Sequence, residues 1–335
     1  MKSLLDKIIP EKSMIAVLLV IVFTGGVLAA LIKVPALLIG SNYSAPTFFA
    51  LYGIAVFILY PVFIGILTIV LAGYHKPVSI GDGIAWSLLA LIGVALSMLL
   101  YAIEGLICVV MASPLCIFCV IVGSLIGHAL NQSFAKRHKN VFSCFAAFIL
   151  LFPAAGYLEN RDQTEPETFP VTTSVIINAP PEKIWKNVVE FPEIAPPAEL
   201  VFKTGIAYPV RARIAGTGAG AARYCDFSTG TFIETVTVWD ENKELEFSVD
   251  EQPVPMKEFS PYGDLDTPHL HGFFVSRKGQ FKLTRLENGR TLLEGTSWYY
   301  HKIRPEFYWR LWSEEIIHTI HRRVLEHIKE RSENE

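Results

Sequence analysis

The stretch from Met14 to Tyr157 sets the first limit on what this chain can fold into. It is almost continuously apolar, whereas residues 158–335 have the mixed character of a water-soluble protein. A helix needs ~20 mostly apolar residues to cross a bilayer. The stretch divides into five such runs: Met14–Ile32, Pro46–Gly73, Ile84–Met111, Leu115–Leu130 and Val141–Tyr157, with Ala112-Ser113-Pro114 separating the third from the fourth. Pro61 and Pro153 fall inside runs, which is tolerated where neighbouring helices satisfy the freed carbonyls. The opening MKSLLDKIIPEKS leads into the first run without a small-residue cleavage pattern, so that run reads as a retained helix.

Lysine and arginine set the orientation. The N-terminal segment carries Lys2, Lys7 and Lys12, the second loop Lys76, and the fourth Lys136, Arg137 and Lys139. The first loop has only Lys33 and the third none. Five spans with the basic loops inside place the C-terminal half outside the cytoplasm, in the periplasm if the cell has one; without a crossing by the short fifth run it would lie in the cytoplasm.

Two features of this half carry chemistry. Glu104 is expected within a span, where a carboxyl is costly and is read as functional or as a lock on helix packing beside Gly105. Cys116 and Cys119 share a helix face at the head of the fourth run. They suit a redox dithiol or two small packing residues. No second pair accompanies them, and the five cysteines form no disulfide framework.

Residues 159–170 (ENRDQTEPETFP) read as a solvated linker, which divides the chain into a membrane part (1–158) and a soluble part (171–331). The soluble part opens with a strand, Val171–Asn178, and a short helix, KIWKNVVEF, after Ala179-Pro180-Pro181-Glu182. Strands follow at Val210–Ala215, Ala221–Phe227, Gly230–Trp239, Glu244–Asp250, Gly279–Leu286 and Thr291–Ile303. Gly216–Gly220 lies between strands with no helix behind it, so it reads as a turn and not a phosphate loop. Asn288-Gly289 is a hairpin signal.

The hairpin around Ser228-Thr229 is the most specific. A two-residue turn there sets Phe227 opposite Gly230, Cys225 opposite Phe232, and Arg223 opposite Glu234. The Arg–Glu pair then sits on an otherwise apolar face. It is either a surface pair worth under ~1 kcal/mol or a buried pair polarising a cavity. Glu251–Leu270 is a long, proline-rich excursion with Phe259 and Tyr262, the signature of a lid or binding loop. His269 and His271 follow at strand spacing. No third ligand stands near them, and His301 and His321 are no better placed, so no metal is expected.

The last stretch, Arg304–Arg331, is an amphipathic helix. Trp309, Trp312, Ile316, Ile320 and Val324 form one stripe, widened by Ile317 and Ile328, with His318 opposite and His321 at its flank. Such a stripe needs a broad apolar partner, and the strands before it are the available one. The order of elements makes the soluble part an α+β helix-grip domain, a curved antiparallel sheet on one long C-terminal helix, behind an α-helical transmembrane bundle. Spaces between such layers take apolar ligands.

From about Val171 to Lys329 the chain resembles the START-like (SRPBCC, Bet v 1-like) superfamily, which includes polyketide cyclase/dehydrase and lipid-transport domains. The residues that carry the resemblance are APPEKIW (179–185), CDFSTGTFIETVTVW (225–239), GRTLLEGTSWYY (289–300) and the terminal helix. The membrane half resembles the anchors of bacterial multi-pass proteins with such domains. The resemblance implies a hydrophobic ligand cavity and no single reaction. The expected function is membrane-anchored binding or transfer of a lipid-like molecule. Its expected lining is Arg223, Glu234, Phe259, Tyr262, His269, Trp298 and His321. The alternatives are a cyclase/dehydratase enzyme, drawing on Glu234, Glu258, Tyr262, His269 or His321, and a ligand sensor signalling through the membrane helices. The expected partners are a hydrophobic molecule and a bilayer. No cofactor is expected, and a net charge of −3 argues against nucleic acid.

Overall fold

Local signals start and stop the helices of the N-terminal half. The computed structural model of the chain describes residues 15, 17–25, 52–133, 137–161 and 166–334. Among these, residues 15 and 17–25 are helical, and the rest of the expected first span lies outside the described residues. A π-turn, Ala55–Leu59, leads into α1 (Tyr60–Ala72), followed by α2 (Ile80–Leu100), α3 (Leu106–Ser133) and α4 (Arg137–Arg161). Four described helical segments are long and apolar enough to cross a membrane: Ala55–Ala72, Ile80–Leu100, Leu106–Gln132 and Val141–Glu159. Ser79 caps α2 by accepting the Asp82 N–H at 3.1 Å.

One expectation fails here. The break expected at Ala112-Ser113-Pro114 is absent, and α3 runs through Pro114. The chain turns at 101–105 instead. Ala102 takes a left-handed conformation (φ 50°). Ile103 N–H donates to Met98 O at 2.9 Å, and Ala102 N–H to Leu99 O at 3.2 Å. That hydrogen-bond pattern is a Schellman cap, usually built on glycine. Glu104 therefore lies in the connection between α2 and α3 and not in mid-span. Cys116 and Cys119 fall within α3 and not at its head.

Helices α1 and α3 approach backbone to backbone. A Cβ added at Gly65 would overlap Val120 O, one at Gly123 would overlap Val62 O, and one at Gly127 would lie 2.9 Å from Ile66 O. Small residues at such crossings permit close packing in apolar surroundings. Asn131 Nδ2 donates to Ile69 O at 3.0 Å, and Phe63 stacks on Phe148 with ring centroids 4.0 Å apart. Gly123→Val is expected to push the two helices apart at a cost of about 1–3 kcal/mol. Thermal unfolding in detergent is the check. Gly81→Ala, where an added Cβ meets nothing within 4 Å, should leave the midpoint unchanged or slightly higher.

The described chain forms two compact units, and the first includes more than the helices. It comprises Met1–Thr164 together with Glu258–Pro268 and Ile303–Pro305. Within it, the hairpin β6 (Glu258–Ser260) and β7 (Gly263–Leu265) meets the α2–α3 connection, and Tyr262 Oη donates to Leu100 O at 2.7 Å. Arg304 N–H donates to Tyr52 O at 2.8 Å. Glu159 accepts from Ile54 N–H at 2.7 Å, so this acid, expected in the linker, instead caps the entry to the π-turn. The contacts of Tyr52, the α2–α3 connection, Glu159, the hairpin and Arg304 are all made at one end of the bundle.

The second unit is built on a seven-stranded sheet in the order β1-β9-β8-β5-β4-β3-β2. Its strands are β1 (Phe169–Ile177), β2 (Pro209–Ala215), β3 (Ala222–Phe227), β4 (Gly230–Asp240), β5 (Glu244–Glu251), β8 (Phe274–Arg285) and β9 (Thr291–His301). Every pairing is antiparallel. Bulges at Pro209/Arg211, Ile233/Glu234, Val236/Val238 and Ser276/Lys278 bend the strands and curl the sheet. Two short helices, α5 (Pro181–Val189) and α6 (Leu200–Lys203), precede β2, and α7 (Glu306–Asn334) ends the unit. α7 lies on β1 and β9. The curled sheet and its long C-terminal helix resemble the helix-grip arrangement expected from the sequence.

The buried face of α7 carries Trp309, Ile317, Val324, Leu325 and Ile328. This is a stripe turned from the expected one: Ile316 and Ile320 lie beside it, and His321 falls on the line from Ile317 to Val324 and Leu325. Polar anchoring accounts for the rotation. Arg323 is buried, and its guanidinium donates to Pro209 O at 3.1 Å and Ala195 O at 2.6 Å.

Candidate functional site

Strand pairing places the inner-face residues in rows. Val171, Ser297, Gly279, Phe247 and Val236 stand side by side across β1, β9, β8, β5 and β4. The neighbouring row carries Val249, Glu234, Arg223 and Ile214 across β5, β4, β3 and β2. The hairpin register is the one the sequence implies: Phe227 faces Gly230, Cys225 faces Phe232 and Arg223 faces Glu234.

The Arg223–Glu234 pair is buried. Its side chains are 2% and 6% exposed, and Arg223 Nη1 donates to Glu234 Oε2. The guanidinium carbon lies 4.6 Å from the centre of the Phe247 ring and 5.8 Å from that of Phe281. Phe247 reaches this position because Gly279, opposite it, has no side chain to meet its ring. Burial opposes the Arg223 charge most strongly, but the Glu234 carboxylate and the Cys225 thiol beside it together outweigh this and hold the guanidinium pKa above its ordinary value. For Glu234, burial is the larger effect and pushes the carboxyl up against the pull of Arg223. Arg223 Nε is buried and meets no hydrogen-bond acceptor among the described residues.

A second polar group crosses the interface between sheet and helix. His321 Nε2 and Ser297 Oγ are 2.8 Å apart, His321 Nδ1 and Thr173 Oγ1 3.1 Å, and His318 Nδ1 and Thr173 Oγ1 2.8 Å. This belt separates two apolar clusters. Ile177, Leu245, Leu293, Val324, Leu325 and Ile328 belong to the larger one. Phe169, Val171, Tyr299 and Ile317 form the smaller. Burial, reinforced by the nearby His318, pushes the His321 imidazole down to about 4, so it is neutral at physiological pH. Leu325 rests on Gly295, whose added Cβ would lie 3.4 Å from it, so the helix sits close on the sheet beside the belt.

Of the residues expected to line a cavity, the structure brings Arg223, Glu234 and His321 to the inner face. Trp298 is on the opposite face from Ser297, with Lys278 Nζ 4.2 Å from the centre of its ring. Phe259 and Tyr262 belong to the β6–β7 hairpin of the helical unit. His269 is buried in a 3-10 turn, Pro268–Leu270, and His271 beyond it is exposed, so the two do not share a strand face as their spacing suggested. Sequence reasoning did not single out Ser297, Thr173, Phe247 or Phe281, and it set His318 facing solvent. The signal available for Ser297 and Thr173 was their polarity at inward positions of otherwise apolar strands.

No family model and no curated protein matches the chain. Among solved structures it is similar to a truncated norcoclaurine synthase from Thalictrum flavum, at 12% identity over 52% of this chain and 99% of that one, with a TM-score of 0.34. It is also similar to a structural-genomics protein from Nitrosospira multiformis, at 19% identity over 50% of this chain and 97% of that one, with a TM-score of 0.31. A third is a conserved protein of unknown function from Enterococcus faecalis, at 16% identity, 51% and 75% coverage, and a TM-score of 0.30.

Proposed function

We propose that the C-terminal unit binds a hydrophobic, lipid-like small molecule with an acceptor-bearing head against the inner face of its sheet, and that the helical unit anchors it to a membrane. Arg223 carries this reading. It is a buried cation set against two phenylalanine rings, and its Nε–H has no acceptor. An unsatisfied buried donor costs about 1–3 kcal/mol. A carboxylate, phosphate or carbonyl oxygen on a bound molecule would recover that cost, while Phe247 and Phe281 would flank its apolar part. Tethering would hold the domain at high local concentration beside its source of ligand. With the five spans expected from the sequence and the basic loops inside, that domain would lie outside the cytoplasm.

The test uses the full chain purified in mild detergent from a lipid-containing host. Native mass spectrometry should show one retained small molecule that Arg223→Met/Glu234→Leu loses at least 10-fold. Lipid held by the spans is common to both proteins, so only the difference between them counts. Equal retention would remove the pair from the site.

A second reading is acid–base catalysis of the cyclase or dehydratase type. It is favoured by His321, a neutral, largely buried imidazole bonded to the Ser297 hydroxyl. Under that reading the molecule recovered from His321→Asn protein would differ chemically from the one recovered from wild type. Identical molecules favour binding alone.

A further inference from the structure

We propose that Glu104, Cys108 and Glu258 form a binding site for one divalent transition-metal ion of borderline softness, of the zinc type, at the end of the helical unit. The three residues come from two distant parts of the sequence. Glu104 lies in the α2–α3 connection, Cys108 one turn into α3, and Glu258 opens β6. All three belong to the first unit.

Their ligand atoms, two carboxylate oxygens and a sulfur, lie within 4.8 Å of one another. Zinc holds carboxylate oxygen at ~2.0–2.2 Å and thiolate sulfur at ~2.3 Å. Two ligands of one tetrahedral ion therefore stand about 3.6 Å apart, and this set closes on an ion with side-chain shifts of up to about 1 Å. The spacing of Glu104 and Cys108 puts them across one helical turn, and Val109 N–H already bonds Gly105 O at 3.3 Å. Gly105, between them, lets Glu258 in. A Cβ there would fall inside the Glu258 carboxylate.

The surroundings hold the donors in place. Tyr52 Oη donates to Glu104 Oε1 at 2.5 Å, fixing the carboxylate as outer hydrogen bonds fix metal ligands elsewhere. Glu258 is fully buried. Gathering anionic donors so closely is repulsive by itself, and a dication reverses the sign of that interaction. The sulfur decides the class of ion: magnesium and calcium prefer all-oxygen sites, while thiolate selects zinc and its neighbours. On binding, the Cys108 thiol releases its proton to solvent, and the sulfur–metal bond forms. The site does not depend on the ligand-binding reading of the C-terminal unit.

The test uses the full chain in detergent, without a histidine tag. Metal analysis after zinc loading and desalting should find one zinc per chain. Adding cobalt to metal-free protein should produce a near-ultraviolet thiolate-to-cobalt charge-transfer band. The band should survive Cys116→Ser/Cys119→Ser and vanish in Cys108→Ser. Glu258→Gln should weaken zinc binding at least 10-fold. In case Cys108→Ser fails to fold, the wild-type chain gives a second readout. Zinc should slow alkylation of Cys108, read by peptide mass spectrometry, at least 10-fold. The proposal is overturned by zinc content at background, by a cobalt band that persists without Cys108, or by alkylation indifferent to zinc.

Discussion

Replacing Arg223 with alanine is expected to lower the stability of the C-terminal unit by about 3–5 kcal/mol. The cost comes mainly from what stays behind. Glu234 is 6% exposed at its side chain and would keep its place in the interior without its guanidinium. The next residue on the same face of β3, Cys225, offers no charge in exchange, since burial pushes its thiol up to about 12. Arg223 also fills volume beside Phe247 and Phe281, so truncation leaves a cavity as well as a lone carboxylate. The paired replacement Arg223→Met/Glu234→Leu removes both charges and refills the space. It should stay within about 1–2 kcal/mol of wild type and could exceed it, because desolvating an ion pair consumes most of what its attraction returns. Chemical denaturation followed by near-ultraviolet circular dichroism checks both. If the double variant falls as far as the single one, the pair contributes specific packing that no apolar residues reproduce. If the single variant falls by less than ~1 kcal/mol, the pair is wet and the binding reading loses its anchor.

The contrast between the single and double variants bears on function. A stable interior does not need this pair, since hydrophobic residues of similar volume serve as well. Retaining a buried arginine with an unsatisfied Nε–H is accounted for if the group meets something else during the working cycle.

The legible and illegible parts of this chain differ for physical reasons. The Arg223–Glu234 pairing could be read because a two-residue turn leaves a single register once its position is chosen, and every later pair follows. Whether the pair was buried could not be read, since that depends on Phe247 and Gly279, two and three strands away from β3. The break between α2 and α3 was misplaced because Ala102 does what glycine usually does, while the conspicuous Pro114 sits inside a helix that tolerates it. The excursion after β5, expected to be a lid or binding loop, carries the β6–β7 hairpin. Its composition gives no sign that Glu258–Pro268 packs with the helical unit, because features such as the hydrogen bond to Leu100 O and the missing side chain of Gly105 come from a distant part of the sequence. The face of α7 was turned by a residue because the hydrophobic count weighs Ile316 and Ile320 but gives no weight to a histidine that bonds Ser297 and Thr173 or to an arginine that caps two carbonyls.

That histidine gives the second large effect, a pH dependence whose sign is fixed. In the unfolded chain His321 titrates near 6.5, and in the folded chain near 4. Above pH 6.5 both forms are neutral and His321 adds no slope. Between 6.5 and 4 the unfolded chain takes up a proton that the folded chain does not, so stability falls as the pH falls. At about 1.4 kcal/mol per pH unit, the full window amounts to roughly 3 kcal/mol, an upper figure because the ring is only partly shielded from solvent screening. Other groups titrate in the same range, among them His327, whose pKa burial also lowers. They are common to wild type and His321→Gln, so the difference between the two proteins isolates the one imidazole. The expected result is that His321→Gln is less stable than wild type at pH 7, having lost the fit of the ring between Ser297 and Thr173, and that the gap narrows or reverses by pH 4.5. A gap constant with pH would mean that the imidazole is open to water and protonates normally. It would then be a surface hydrogen-bonding group, and both the buried belt and the acid–base reading that depends on it would be withdrawn.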